Sequence, residues 1–273
     1  MNGLRKSVLA IAVAALPFAV QAEIKVLDDS AMSAVTGQAG VSIELQTKID
    51  IGQFRYTDEG SFRVSDISIG GTGTATSTYF GVNWGPGARS GDLLDDILIN
   101  IDIASDGDAI INMLPANLGN AVDFKVTTGD WELVSQDGTE NTLLVSSFNL
   151  EGLAFGMSAR IDTSTDTMRI LADFAVADMD VEVDFLAVGL KDIQITGAGY
   201  DSAAPRLLDV PTTLDVTLGK RANRNGVDSL AVDIADWTFD MSIGAVEIGG
   251  TSIGSVVLDN VTVANTSMIV YGH

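Results

Sequence analysis

From residue 41 the chain alternates in strict period two. Val41, Ile43, Leu45, Thr47, Ile49 and Ile51 are interleaved with Ser42, Glu44, Gln46, Lys48 and Asp50. A period of two puts each set on its own side of an extended chain, whereas a helix of period 3.6 would mix them. The pattern predicts a long strand with one dry and one wet face, prolonged by Phe54 and Tyr56. At Thr57-Asp58-Glu59-Gly60 it turns back into Phe62 and Val64. The same alternation returns at Ile97, Ile99, Ile101 and Ile103, and again at Met179, Val181, Val183 and Phe185, the latter set against Asp178, Asp180, Glu182 and Asp184. Strands with one solvated face belong to antiparallel sheets. Helical signal after residue 40 is confined to one turn over 112–119. The expected class is therefore all-β, with long antiparallel amphipathic strands.

A second pattern recurs five times: apolar, any, Asp/Asn/Gly, apolar, any, apolar. It reads Val64-Ser65-Asp66-Ile67-Ser68-Ile69, Leu150-Glu151-Gly152-Leu153-Ala154-Phe155, Leu190-Lys191-Asp192-Ile193-Gln194-Ile195, Ile234-Ala235-Asp236-Trp237-Thr238-Phe239 and Leu258-Asp259-Asn260-Val261-Thr262-Val263. Apolar residues at i, i+3 and i+5 are out of phase on a flat strand. One extra residue at the Asp/Asn/Gly, a β-bulge, would bring all three to one face and bend the strand. Repeated bulges predict a strongly curved sheet, a curled meander or open barrel. The irregular spacing disfavours a solenoid with a fixed rung. Two loops interrupt the strands, a Gly-rich stretch from Gly70 to Gly91 and a segment from Gly197 to Pro211. Neither has the length or charge shift of a linker, so 41–273 is expected to form one domain.

The first 22 residues read as an export signal: Arg5 and Lys6, a short apolar core from Val8 to Ala15, then Pro17 and a small-residue ending at Val20-Gln21-Ala22. The apolar run is shorter than the roughly 20 residues a spanning helix needs, so no membrane anchor is expected in the mature chain. Residues 23–40 form a lead segment in which Asp28 or Asp29 can cap a short helix, Met32 and Val35 share a face, and Gly37 can end it. The block Leu27-Asp28-Asp29-Ser30-Ala31-Met32-Ser33-Ala34-Val35-Thr36-Gly37-Gln38-Ala39-Gly40, directly behind the signal, resembles the N-terminus of Fil-type pilus-system proteins, secreted proteins of Gram-negative bacteria. The resemblance covers about residues 23–45. It implies an envelope or surface location and a link to an export or assembly system, and it implies no catalytic residues.

Charge and composition narrow the chemistry. The chain has 15 basic and 37 acidic residues, one histidine at position 273 and no cysteine. Loss of Arg5 and Lys6 with the signal takes the formal charge from −22 to −24. Nucleic-acid binding by phosphate neutralisation is excluded. Thiolate metal sites, disulfides and cysteine nucleophiles are excluded, and a lone histidine at the last position is a poor basis for Ser-His-Asp catalysis. The Gly-rich stretch lacks the Lys-Ser/Thr ending of a phosphate loop. Carboxylate pairs of the glycosidase kind are many, and nothing singles one out. An outer-membrane barrel would show aromatic girdles, and these 17 aromatics do not cluster at strand ends.

Calcium is the cation the acids suit, since it takes hard oxygen ligands. The turn with Asp102, Asp106 and Asp108 is the expected site. The stripe Asp178, Asp180, Glu182 and Asp184 spaces its carboxylates roughly 6.5–7 Å apart, too far for one ion without a second strand. Lys220-Arg221 and Arg224 make a small basic spot in a hairpin loop. The expected function is that of a non-enzymatic structural protein of the envelope or surface, pairing with itself or with other envelope or pilus-system proteins through strand edges. The alternative is a carrier holding a lipid or alkane chain in an apolar trough.

Overall fold

The computed structural model describes residues 40–72, 79–82, 91–117 and 120–272. The signal segment, the capped lead helix and most of the Gly-rich stretch lie outside them. The described chain forms sixteen antiparallel strands in one sheet that does not close on itself. The all-β expectation holds. The helical turn expected over 112–119 gives way to strand: Asn112 to Pro115 complete β5 (Ala109–Pro115) because Ile111 and Met113 continue the apolar row of their neighbours.

The trunk is a long hairpin of β9 (Ser147–Asp162) and β10 (Thr167–Val183). Each strand is long enough to serve two neighbours on its outer side. The distal part of β9 pairs with β5 and its proximal part with β6 (Val122–Thr128). On β10 the corresponding halves pair with β12 (Thr212–Ala222) and β11 (Val188–Gly197). The sheet therefore forks on both sides of the trunk. One wing runs β1 (Gly40–Thr47), β4 (Leu94–Ile103), β5, β9, β10, β12, β13 (Asp228–Ile234), β16 (Thr266–Val270). The other runs β2 (Ile49–Thr57), β3 (Ser61–Gly70), β6, β9, β10, β11, β14 (Trp237–Ile248), β15 (Thr251–Val263). A short pair, β7 (Trp131–Val134) and β8 (Asn141–Val145), extends β3.

The fork corrects the expectation of a single strand over 41–56. The chain breaks at Lys48, where it leaves the first wing for the second, and the Lys48 ammonium is held by Asp92 at 2.6 Å. The recurrent Asp/Asn/Gly positions also differ from the simple bulge. Asp66, Asp192 and Asn260 adopt left-handed backbone at φ 48°, 53° and 54°. Only Asn260 coincides with a register shift. Asp66 and Asp192 bend their strands within an unshifted register, Asp66 opposite Gly52 and Asp192 opposite Gly244. A Cβ on Gly244 would lie 2.8 Å from that of Asp192, so the crease requires glycine there. At Gly152 the extra residue is instead Ala177 of the facing strand, and Asp236 falls in the break between β13 and β14.

The intended result is nevertheless achieved. Leu190, Ile193 and Ile195 oppose Val246, Ile243 and Met241. Leu190 and Ile195 in turn oppose Val181 and Val176, which share one side of β10 with Met179.

Candidate functional site

The registers assign every strand residue to a face. Across the first wing one row reads Val41, Ile101, Ile111, Ala159, Ile170, Val216, Ile234, seven apolar residues on seven successive strands. The adjacent rows read Ile43, Ile99, Met113, Met157, Ala172, Leu214 and Ile103, Ala109, Ile161, Met168, Leu218, Val232, Met268. The bulge at Phe155 keeps this face continuous along β9, from Met157 to Ala154, Gly152, Leu150 and Phe148. Strand alternation built this face: one residue in two is aliphatic on nearly every strand.

That aliphatic face is open to solvent. Val41, Ile43, Ile49, Ile51, Ile103, Ile161, Met268 and Val270 are exposed, many of the residues between them are half-buried, and Ile97, Val176 and Ile193 are buried. Near the distal tips of the trunk and of the β12–β13 hairpin an open groove of about 980 Å³ is lined by Ile161, Met168, Leu218 and Leu230 alongside polar residues such as Asp162 and Lys220.

The opposite face is polar and paired. Arg160 donates to Asp108, Arg169 to Asp215 and Arg221 to Asp233, each at 2.6–2.7 Å. The tightest apolar packing sits on this same side of the fork, where Leu153 and Ala175 face each other under Phe80, Ala121 and Val210. Tyr200 closes it, its hydroxyl donating to the Phe80 carbonyl at 3.0 Å and its ring meeting Phe80 edge-on at 5.9 Å.

The expected cation ligands are placed as follows. Asp102 is exposed on β4, opposite Gly40 and Ile110. Asp106 lies in the β4–β5 turn and accepts the Asp108 amide at 3.1 Å. Asp108 is buried, and both its oxygens are occupied. One takes Arg160 at 2.7 and 3.2 Å, the other the Thr163 amide and hydroxyl at 3.0 and 3.2 Å. The Arg160 hydrogen bonds hold its carboxyl below the usual range. Asp108 thus ties the β4–β5 turn to the tip of the trunk.

Among the described residues three carboxylates converge elsewhere: Asp178 and Asp180 on β10 with Asp192 at the crease of β11, with one oxygen of each within 4.8 Å of the others. Oxygens this close can share one calcium ion, whose oxygen ligands sit at about 2.3–2.6 Å. Asp180 accepts the Asp192 amide at 2.9 Å, and Asn149 donates to Asp178 at 3.3 Å. Burial, then the negative charges of Asp180, Glu151 and Asp192, push the Asp178 carboxyl up, while Lys125, itself paired with Glu151 at 2.7 Å, opposes this. The stripe arithmetic had required a second strand. Asp192 supplies it, and the recurrent pattern had marked that residue for its backbone alone.

Fold and surface together define an open, amphipathic, all-β sheet with one paired polar face and one aliphatic face exposed at its margins. Residues 1–105, which include β1 to β4, match the model of a family of unknown function, DUF6160. This part of the chain is similar to that family, whose description carries no activity. No curated protein and no solved structure matches the chain. Among the described residues no helix is long and apolar enough to cross a membrane.

Proposed function

We propose that the mature chain is a non-enzymatic structural subunit of the cell envelope or surface, which assembles by adding strands to its own sheet. The observation that carries this is the unclosed sheet: β1, β2, β15 and β16 each have a described partner on one side only. An open edge presents a row of backbone donors and acceptors to another strand, and main-chain hydrogen bonds then supply the affinity. The mature chain's charge of −24 keeps such a protein soluble until its edges meet.

A second reading, a carrier of a lipid or alkane chain, is favoured by the aliphatic rows. A chain lying along them would gain roughly 0.8 kcal/mol per buried methylene. Sedimentation and native mass spectrometry of protein from its own host separate the two. Concentration-dependent association without bound lipid is expected. Stoichiometric lipid on a protein that stays monomeric at every concentration overturns the assembly reading in favour of the carrier.

A further inference from the structure

We propose that β15 is the edge at which a second copy of this chain adds, antiparallel, about a two-fold axis through Val257. This rests on the assembly reading and names its edge and its partner. Native sheets defend their edges with charge, brevity or bulges. Among the outer strands β2 carries Asp50 and Arg55, β1 carries Glu44, and β8 and β16 are five residues each. β15 is thirteen residues long, has no charge or proline from Thr251 to Leu258, and is exposed at every position from Thr251 to Asn260. Its register against β14 shifts between Gly254, φ 137°, and Val256 and again between Leu258 and Val261, which leaves a short regular stretch, Val256 to Leu258, between two irregularities.

That stretch is complementary to itself. An axis through Val257 sets Val257 against its own copy, Val256 against Leu258 and Ser255 against Asp259. The two Asp259 carboxylates are thereby kept apart, whereas an axis two residues further along would set them directly opposite each other, which is unfavourable. Val256 and Leu258 end the apolar rows that run from Ile193 through Ile243 and from Ile195 through Met241. Pairing at this edge therefore joins two aliphatic faces into one. Val257, 75% exposed on the opposite side, next to Ser242, has no apolar role in the lone chain. Because both copies are strongly acidic, added salt strengthens the pairing.

The chain has no cysteine, so single replacements report contacts directly. In the full mature protein V257C is expected to oxidise to a reducible dimer, since directly opposed antiparallel residues fall within disulfide reach. S255C, four residues from its own copy along the pair, is not. V257K is expected to weaken self-association at least tenfold with an unchanged melting curve, and V257T to retain it. Wild-type association that V257K leaves intact, with no V257C cross-link, overturns the β15 assignment and leaves assembly through another edge standing. A wild-type chain that stays monomeric at high concentration and salt overturns both.

Discussion

The two faces of the trunk hairpin show opposite solutions to burial. On one side Leu153 and Ala175 are 1% and 0% exposed beneath Phe80 and Val210, and arginines meet aspartates on either flank. On the other, aliphatic rows cross seven strands, and the residues at their margins stand in water. The described chain thus buries its tightest cluster on the polar face, and on the aliphatic face it buries Ile97, Val176 and Ile193 while leaving the ends of the rows exposed.

The sharpest way to break this contrast is to cut one apolar side chain on each face. Leu153→Ala opens a cavity where five segments meet and is expected to cost about 2–5 kcal/mol in chemical unfolding. Ile103→Thr, at a position 58% exposed on the aliphatic face, is expected to stay within about 0.5 kcal/mol in the isolated monomer. Equal losses would mean that the aliphatic face is already packed within the chain. A loss for Ile103→Thr that emerges only at high concentration or with lipid present would identify what covers it.

Next in size is Asp108. Its hydrogen bonds from Arg160 and Thr163 lower its folded pKa below the unfolded value of about 3.9. The stability it lends is therefore present above that value and lost as pH falls through the folded pKa. Asp108→Asn removes the charge that Arg160 meets and is expected to lower the melting midpoint at pH 7 by a few degrees, on the order expected for losing a paired carboxylate. The difference from wild type should shrink as the pH falls below the unfolded value and through the lowered folded pKa. If the midpoint at pH 7 is unchanged, the turn is anchored by Thr163 and the ladder rather than by the charge.

Much of this was legible in the sequence for a plain physical reason: alternation is a local property, and Val41 to Leu45 or Ile97 to Ile103 declare their face without knowing their partners. The recurrent pattern was legible in part: at Asp66, Asp192 and Asn260 the i, i+3, i+5 spacing meets a left-handed residue, but only Asn260 carries the expected register shift, and Gly152 and Asp236 are not left-handed. The fork was not legible. Lys48 and Ala235-Asp236 look like ordinary strand and loop residues, and only the pairing of β9 and β10 with two neighbours each shows that the chain changes wings there. The acidic grouping failed to show for the same reason, since Asp192 approaches Asp178 and Asp180 through strand pairing and not through proximity in sequence.

The smallest effect concerns that grouping, and it sharpens the contrast within the polar face, because Asp178 is the counterpart of Asp108 with the sign reversed. Burial and three neighbouring carboxylates raise its folded pKa, so the ionised form is a cost to the native state. That cost is complete above the raised pKa, is relieved as Asp178 takes up its proton on acidification, and is gone below the unfolded value of about 3.9. Asp178→Asn keeps the shape and the Asn149 contact while removing the repulsion. It is expected to raise stability at pH 7 by about 0.5 kcal/mol, in the range of partly exposed substitutions, and to be indistinguishable from wild type near pH 3. Millimolar calcium relieves the same repulsion, so it should raise the wild-type midpoint and leave the Asp178→Asn variant nearly where it was. A midpoint that falls in Asp178→Asn at pH 7 would show that the carboxylate is held by a favourable partner, and would remove the distinction between a tied acid at Asp108 and a strained one at Asp178.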